Sequence, residues 1–202
     1  MNVFFFEAHP DDIEISCLGA YFLHQARGDK VTHICASECD DLERNKYLRY
    51  EVEKVMEILD PDPPLVRFNL PNRELDHPDV KRELRGRLEA LRRWKPDIIY
   101  CPSLKDIHQD HSSLAEEVIR VFRQHTILMY ENNYSTPKFN PNYYIPLDRE
   151  TMDKKLEVLD LFKSQDEKKL KKLARSMARN RGNEIQQPYA EAFEVWKVVQ
   201  SL

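Results

Sequence analysis

Glycine is scarce in this chain. The 202 residues include 4 glycines, Gly19, Gly28, Gly86 and Gly182, against about 14 at the usual frequency of ~7%. A dinucleotide-binding fingerprint, a phosphate-binding P-loop and a nucleophile elbow need closely spaced glycines, because the backbone there must approach a ligand or turn sharply. The sequence therefore excludes these three kinds of site.

A basic excess and a long apolar run are also absent. The net charge of -4 opposes general binding of nucleic acid, which favours a basic surface. No segment approaches the roughly 18 apolar residues that a membrane span requires. The apolar run Val3 to Phe6 has no basic region before it, as a signal peptide would. We expect no nucleic-acid partner, no membrane span and a cytoplasmic location.

The cysteines show no metal or disulfide pattern. All 4 lie in or beside apolar segments without CxxC spacing, which favours reduced thiols in the core: Cys17, Cys35, Cys39 and Cys101. A chain of this length buries roughly 70% of its unfolded surface on folding, so no covalent or metal staple is needed.

Short apolar runs alternate with longer stretches of helical periodicity. The pattern predicts strands at 2–7, 31–35, 65–68, 97–101 and 126–131, and helices at 13–26, 45–59, 79–94 and 112–123. This alternation is typical of an α/β protein with a doubly wound, mostly parallel sheet. We expect the strand order 3-2-1-4-5, with helices on both faces.

The region after Glu131 has a looser pattern. A Pro-, Asn- and Tyr-rich stretch is followed by predicted helices at 149–163 and up to about 180, and by a strand at 192–199. No repeat or shift in composition marks a second domain. We expect one domain over 1–202, with an α/β core at 1–131 and a C-terminal elaboration at 132–202.

Two clusters of metal-binding residue types follow predicted strands. The first is Ala8-His9-Pro10-Asp11-Asp12, after strand one, and the second is 106–111, Asp-Ile-His-Gln-Asp-His, after strand four. Singly, such residues are often turn or helix-capping residues. Strands one and four are neighbours in the predicted order, however, and a crevice opens at their carboxyl ends. We expect both clusters to face one pocket.

The residue types in this pocket are those of a zinc hydrolase. Catalytic zinc takes three protein ligands and leaves one position for water, and His9, Asp12 and His111 can supply the ligands. Asp11 is then free to act as general base on that water. His108 can protonate the leaving group or stabilise an oxyanion, and Asp110 can orient one of two histidine rings, His108 or His111.

The motifs AHPDD and HQDH, in this order and spacing, resemble those of the LmbE-like, or PIG-L, family of zinc-dependent N-acetylglucosaminyl deacetylases. The resemblance extends over essentially the whole chain. It includes residues in the following segments: Arg49-Tyr50-Glu51, Leu70-Pro71-Asn72, Asp106, Glu131, Lys155, Ser164-Gln165 and Ala190-Glu191-Ala192-Phe193.

The resemblance implies a Rossmann-like fold, zinc at His9, Asp12 and His111, and hydrolysis of the acetamide of an N-acetylglucosamine-like sugar or glycoconjugate. Other divalent first-row metals are also compatible. By similarity, the residues expected near the substrate are Arg49, Asn72, Asp106 and Glu131. The resemblance leaves open which N-acetylated compound is used and whether the chain forms a homo-oligomer.

Two alternatives come from other classes of function. Two histidines and one carboxylate also describe a non-haem Fe(II) oxygenase site, although that site usually lies in a jelly roll. The basic run Lys168 to Arg181 could instead bind phosphate or another anion. A charge run is more often the solvated face of a helix, here with Leu170, Leu173 and Met177 directed inward.

Overall fold

The computed structural model describes residues 1–39, 43–61, 65–132 and 135–199. Its strands are β1 (Asn2–Glu7), β2 (Lys30–Cys35), β3 (Val66–Arg67), β4 (Ile98–Pro102), β5 (Thr126–Tyr130), β6 (Tyr143–Leu147) and β7 (Tyr189–Lys197). Its α-helices are α1 (Asp12–Ser16), α2 (Leu18–Ala26), α3 (Leu48–Leu59), α4 (Pro78–Leu91), α5 (Gln109–Phe122), α6 (Arg149–Leu159) and α7 (Glu167–Glu184). Short 3₁₀ turns lie at Glu43–Asn45, Arg92–Trp94 and Lys163–Gln165.

The described strands form one sheet in the order β3-β2-β1-β4-β5-β7-β6. The first five are parallel and follow the predicted order. The prediction was incomplete, because β7 runs antiparallel to β5 and β6 runs antiparallel to β7. The region after Glu131 thus extends the sheet of the α/β core. That 1–202 form one domain stays a prediction.

Helices cover both faces of the sheet. Alternate side chains of β1 point to opposite faces, as the period of a strand requires. Val3 and Phe5 pack in a core with α1, α2, α3, α6 and α7, whereas Phe4 and Phe6 pack in a second core with α4 and α5. All four cysteines are buried, and none of them forms a disulfide within the described part of the chain, as predicted.

Three predicted elements need correction. The predicted helix at 13–26 is two helices, because the chain leaves helical geometry at Cys17. Helix α5 begins at Gln109 instead of Ser112, which places Asp110 and His111 in its first turn. The irregular stretch 132–146 contains the edge strand β6; its residues 133 and 134 lie outside the described part of the chain.

No helix in the described ranges is both long and apolar enough to cross a membrane.

Candidate active site

The two predicted clusters meet at the carboxyl edge of the sheet. Strands β1 and β4 are adjacent and parallel, with Val3 opposite Ile98 and Phe5 opposite Tyr100. The turn after β1 carries His9, Asp11 and Asp12, and the loop after β4 leads into α5. Both segments therefore face one cleft at the point where the chain leaves neighbouring strands in opposite directions.

Three of the predicted ligand atoms lie close together. His9 Nδ1 is 3.2 Å from His111 Nε2, and Asp12 Oδ2 is 3.4 Å from the same Nε2. Two atoms bound to one tetrahedral zinc ion, each about 2.0–2.1 Å from it, lie about 3.3 Å apart. Both distances to His111 Nε2 therefore match the spacing of two ligands on one zinc-type ion.

Carboxylates orient both histidines from behind. Asp106 Oδ2 lies 2.9 Å from His111 Nδ1, and Asp110 Oδ2 lies 2.9 Å from His9 Nε2. In this network the nitrogen that faces a carboxylate, His111 Nδ1 or His9 Nε2, is the N–H donor of its ring. The other two nitrogens, His111 Nε2 and His9 Nδ1, present their lone pairs to each other. Two lone pairs at 3.2 Å repel unless a cation or a proton lies between them, so the arrangement suits a bound cation.

The electrostatics of the cleft also favour positive charge. Burial by itself would lower the pKa of His111, but the carboxylates of Asp12, Asp106 and Asp110 outweigh it and raise this pKa to about 9. The protein therefore stabilises a positive charge at His111 Nε2, where a proton and a metal ion would compete.

Asp12 is held rigidly by the chain around it. Its Oδ2 accepts hydrogen bonds from the backbone N–H groups of Ala8 and His9, at 3.2 and 3.0 Å. Its Oδ1 accepts one from the side-chain amide of Asn132, at 2.8 Å. The contact of Asn132 with Asp12 was not predicted from the sequence; the position of Asn132 just after β5, at the same edge of the sheet, was the available signal.

Asp11 differs from Asp12 in that its carboxylate has no hydrogen bond to any residue in the described part of the chain. It occupies the N-cap position of α1, yet its side chain makes no capping hydrogen bond. Its backbone is left-handed at φ 97°, a conformation that is strained for a residue with a Cβ and is often found at functional sites. Burial and the Asp12 carboxylate raise the pKa of Asp11 well above its usual range. Asp11 lines the cleft.

His108 caps the helix that carries His111. Its Nδ1 accepts a hydrogen bond from the backbone N–H of Asp110 at 3.2 Å, so the neutral ring carries its proton on Nε2. Burial and the neighbouring histidines lower the pKa of His108, which favours this neutral form. Ring nitrogens of His9, His108 and His111 all lie within 4.8 Å of one another. These distances would allow His108 to bind the same metal ion. However, the hydrogen bond at Nδ1 leaves the ring proton on Nε2, so Nε2 has no lone pair for a metal.

The cleft around these groups has a volume of about 370 Å³. Its polar lining beyond the clusters comes from residues of separate loops: Asn45, Asn72, Arg73, Asn132, Ser135 and Gln165. The loop with Asn72 is anchored to the site, because Asp110 accepts the backbone N–H groups of Arg73 and Leu75 at 2.7 and 3.0 Å.

The four predicted substrate residues occupy different places. Asn72 lines the cleft. Arg49 is exposed on α3, 3.8 Å from Glu53. Asp106 is buried behind His111 and also accepts the N–H of His108. Glu131 forms a two-pronged ion pair with Arg181, with both N–O distances 2.6 Å. Of the four, the structure brings Asn72 alone to the wall of the cleft.

The basic run lies on α7. Its apolar residues Leu170, Leu173 and Met177 are buried in the core, as the helical interpretation predicts. Lys171 pairs with Asp160 on α6. The run is therefore a solvated helix face whose inner side packs on the sheet.

Several solved structures share this fold. The conserved protein TT1542 from Thermus thermophilus superposes with a TM-score of 0.82 at 20% identity, covering 99% of this chain and 96% of that one. The N,N'-diacetylchitobiose deacetylase from Pyrococcus horikoshii has a TM-score of 0.80 at 22% identity, with 96% and 83% coverage. GalB, the 4-carboxy-2-hydroxymuconate hydratase from Pseudomonas putida KT2440, has a TM-score of 0.80 at 19% identity, with 100% and 99% coverage. These likenesses establish the fold.

The sequence itself also matches a family. Residues 4–122 correspond to the family described as PIG-L, GlcNAc-PI de-N-acetylase. This segment is more than half of the chain and includes both clusters of the cleft. On that match, the protein is a member of the PIG-L family.

Proposed function

We propose that this protein is a metal-dependent N-deacetylase that removes the acetyl group from an N-acetylglucosamine-like sugar or glycoconjugate. The observation that carries the proposal is the contrast between two adjacent carboxylates. Asp12 is fixed among His9, His111 and Asn132, whereas Asp11 lines the same cleft without a capping bond. Hydrolysis of an amide requires both an electrophilic centre and a free base.

His9, Asp12 and His111 would hold the metal, and zinc suits their two imidazoles and one carboxylate, with other divalent first-row ions as alternatives. When bound, such an ion polarises a carbonyl oxygen and makes a water molecule more acidic. Asp106 and Asp110 keep the two imidazoles in the tautomer and orientation that this requires.

Asp11 acts as the general base and then as a general acid. Its carboxylate takes a proton from the attacking water and returns one to the departing amine. Burial and Asp12 raise the pKa of Asp11, which brings the group nearer to the range in which a carboxylate can both accept and donate a proton. The strained backbone of Asp11 directs the side chain away from the helix that it would otherwise cap.

His108 stabilises the charge that develops on the carbonyl oxygen. Its Nε2–H is the available donor because Nδ1 is engaged by the backbone of Asp110. The lowered pKa of His108 keeps the ring neutral, so it donates a hydrogen bond without adding positive charge beside the metal ligands. A neutral ring with a lowered pKa is a poor proton donor, so Asp11 rather than His108 supplies the proton of the leaving amine.

The polar wall of the cleft would bind the sugar. Side-chain amides donate and accept hydrogen bonds, as hydroxyl groups do, and Asn45, Asn72 and Gln165 place such amides on the wall. We assign Asn72 to substrate binding, and Asp106 to the positioning of His111. Arg49 and Glu131 stay predicted substrate residues without a contact to the cleft.

The Fe(II) oxygenase alternative has less support, because the site lies on a parallel α/β sheet rather than in a jelly roll. The contacts described for α7 are those of a packed, solvated helix and do not favour an anion-binding module. A cytoplasmic location and a homo-oligomer stay predictions.

The proposal is tested by measuring acetate release from a panel of N-acetylglucosaminyl compounds. The samples are zinc-loaded protein, chelator-treated protein and the Asp11→Asn variant. We expect cleavage of at least one compound by the loaded protein alone, with zinc retained in Asp11→Asn. Because a hydratase shares this fold, failure to release acetate from any compound by protein that demonstrably holds zinc would contradict the deacetylase assignment. Full activity of Asp11→Asn would contradict the base assignment.

A further inference from the structure

A second group of potential metal ligands lies in the interior beneath the cleft. Glu7 ends β1, Glu14 lies in α1, and His33 lies in β2. One ligand atom from each residue lies within 4.8 Å of the other two. All three side chains are buried, with exposures of 1%, 1% and 0%. None of the three lines the active-site cleft.

Four buried polar atoms of this group lack hydrogen-bond partners in the described part of the chain. No hydrogen bond reaches Glu7 Oε2, Glu14 Oε2 or either ring nitrogen of His33. Buried polar groups are nearly always hydrogen-bonded, and a buried unpaired carboxylate is especially unfavourable. Several unpaired atoms converging on one interior point therefore indicate a missing partner.

A fourth buried polar residue, Tyr21, lies close to this group. The hydroxyl of Tyr21, on α2, is also buried and without a hydrogen-bond partner among the described residues. The rings of Tyr21 and His33 are 6.0 Å apart between centroids. Buried tyrosine hydroxyls usually find a partner, so the unpaired hydroxyl beside His33 adds to the number of unpaired polar atoms in this region.

The spacing within the group resembles that of metal ligands. His33 Nε2 lies 3.0 Å from Glu7 Oε1, but the two atoms form no hydrogen bond. Two ligands of one tetrahedral zinc-type ion lie about 3.3 Å apart without pointing at each other. One imidazole and two carboxylates are donors that such an ion accepts.

We propose that Glu7, Glu14 and His33 bind a divalent metal ion of the zinc type, separate from the ion of the active-site cleft. The site is structural, because burial of all three side chains closes it to solvent and to a substrate. A cation here compensates two buried carboxylates that otherwise repel each other.

The position of the site explains what the ion would do. Glu7 directly precedes, and Glu14 directly follows, the segment 8–13 that carries His9, Asp11 and Asp12. An ion bound to both glutamates closes the base of this segment and attaches it to β2 through His33. It would thereby hold the strained backbone at Asp11 in place. The inference does not depend on the reaction that the cleft catalyses.

The decisive experiment leaves the buried group intact. A His9→Ala/His111→Ala double variant removes the metal ligands of the cleft, and it is purified from zinc-supplemented cells and passed over a chelating resin. Mass spectrometry of the elements then gives the metal content per chain. We expect one equivalent in the double variant and two in the unaltered protein. No retained metal in the double variant, together with at most one equivalent in the unaltered protein, would overturn the proposal.

The location of the ion is tested in the unaltered protein. Anomalous diffraction at the zinc edge should show a peak among Glu7, Glu14 and His33 besides the peak in the cleft. A second equivalent located anywhere else would overturn the assignment. Glu14→Gln should remove the interior equivalent and retain the one in the cleft. Glu117→Gln, an equally buried glutamate on α5 that pairs with Arg85, is the matched control and should retain both.

Discussion

Lys155 and Glu191 form an ion pair in the interior of the protein, with 2.6 Å between Nζ and Oε1 and 1% exposure of each side chain. The same carboxylate accepts the backbone N–H groups of Gly19 and Ala20, at 2.8 and 2.7 Å. Glu191 on β7 therefore caps the N-terminus of α2, and Lys155 on α6 balances its charge. This contact connects the C-terminal region to the first helices of the α/β core.

Removing the cation from this pair should destabilise the fold. Lys155→Met leaves the Glu191 carboxylate buried without its counter-charge, and we expect a loss of about 3–5 kcal/mol in the free energy of unfolding. Urea unfolding measures it. The neighbouring Lys154→Met breaks the exposed Lys154–Glu150 pair and should change stability by less than about 1 kcal/mol. Equal changes in the free energy of unfolding would show that the buried pair contributes no more to stability than the exposed pair.

His108 should be needed for turnover beyond its role as a helix cap. Asparagine is a good N-cap residue, so His108→Asn retains the cap but lacks the Nε2–H donor, whereas His108→Ala loses both. We expect both variants to lose about 10²-fold or more in kcat. His108→Ala alone should lose about 0.5–2 kcal/mol of stability. Loss of bound metal in His108→Asn would instead identify His108 as a ligand.

Asp106 should affect metal binding without touching the metal. It holds His111 by the Nδ1 nitrogen, 2.9 Å away, and such carboxylates raise the basicity of the ligand and fix its orientation. We expect Asp106→Asn to weaken zinc binding about 10- to 100-fold, measured by competition with a chromophoric chelator. Asp79→Asn, at an exposed position on α4, is the control. Unchanged affinity in Asp106→Asn would refute this positioning role.

Substitution by alanine should have opposite effects on stability at Gly182 and Gly86. A Cβ at Gly182 would lie 2.5 Å from the Gln187 carbonyl oxygen and 2.8 Å from Tyr189 Cα, and backbone atoms cannot easily move away. We expect Gly182→Ala to cost about 1–3 kcal/mol. A Cβ at Gly86, within α4, meets nothing within 4 Å, so Gly86→Ala should gain about 0.5–1 kcal/mol from helix propensity. Thermal unfolding of both variants tests this, and a stabilising Gly182→Ala would contradict the close approach.

His24 should contribute a pH dependence to stability. Burial lowers its pKa below the ordinary 6.5, although Asp29 lies 2.7 Å away and opposes this effect. A group whose pKa is depressed in the folded protein binds its proton more readily when unfolded. Its contribution is therefore fully present above about pH 6.5 and is lost as the pH falls toward the folded pKa, by at most about 1.4 kcal/mol per pH unit.

The His24→Gln variant isolates this contribution. We expect the difference in unfolding free energy between the unaltered protein and His24→Gln to decrease between about pH 7 and pH 5, as measured by urea unfolding. A difference that is independent of pH would mean that His24 has an ordinary pKa in the folded protein.

Much of the fold was predictable because its elements are local patterns. Apolar runs and helical stripes predicted the five parallel strands and their order, since these signals depend on residues near one another in the chain. Strand β6 was missed: it lies at the edge of the sheet and contains Pro146, and a proline argues against a strand unless the strand is at an edge. The break at Cys17 was missed because the N–H groups it frees bond to Glu191, more than 170 residues away.

The same distinction applies to the site. The sequence by itself determined the β/α alternation and the placement of two His/Asp clusters at the ends of neighbouring strands, because chain order and periodicity decide both. Tertiary structure alone decided the surroundings of the two carboxylates. Asp12 and Asp11 are adjacent in sequence, yet Asp12 accepts a hydrogen bond from Asn132, whereas Asp11 makes no side-chain capping bond within the described residues. It also decided that Glu7, Glu14 and His33 converge in the interior. The physical reason is that burial and hydrogen-bond partners come from residues distant in the chain, and no local pattern encodes them.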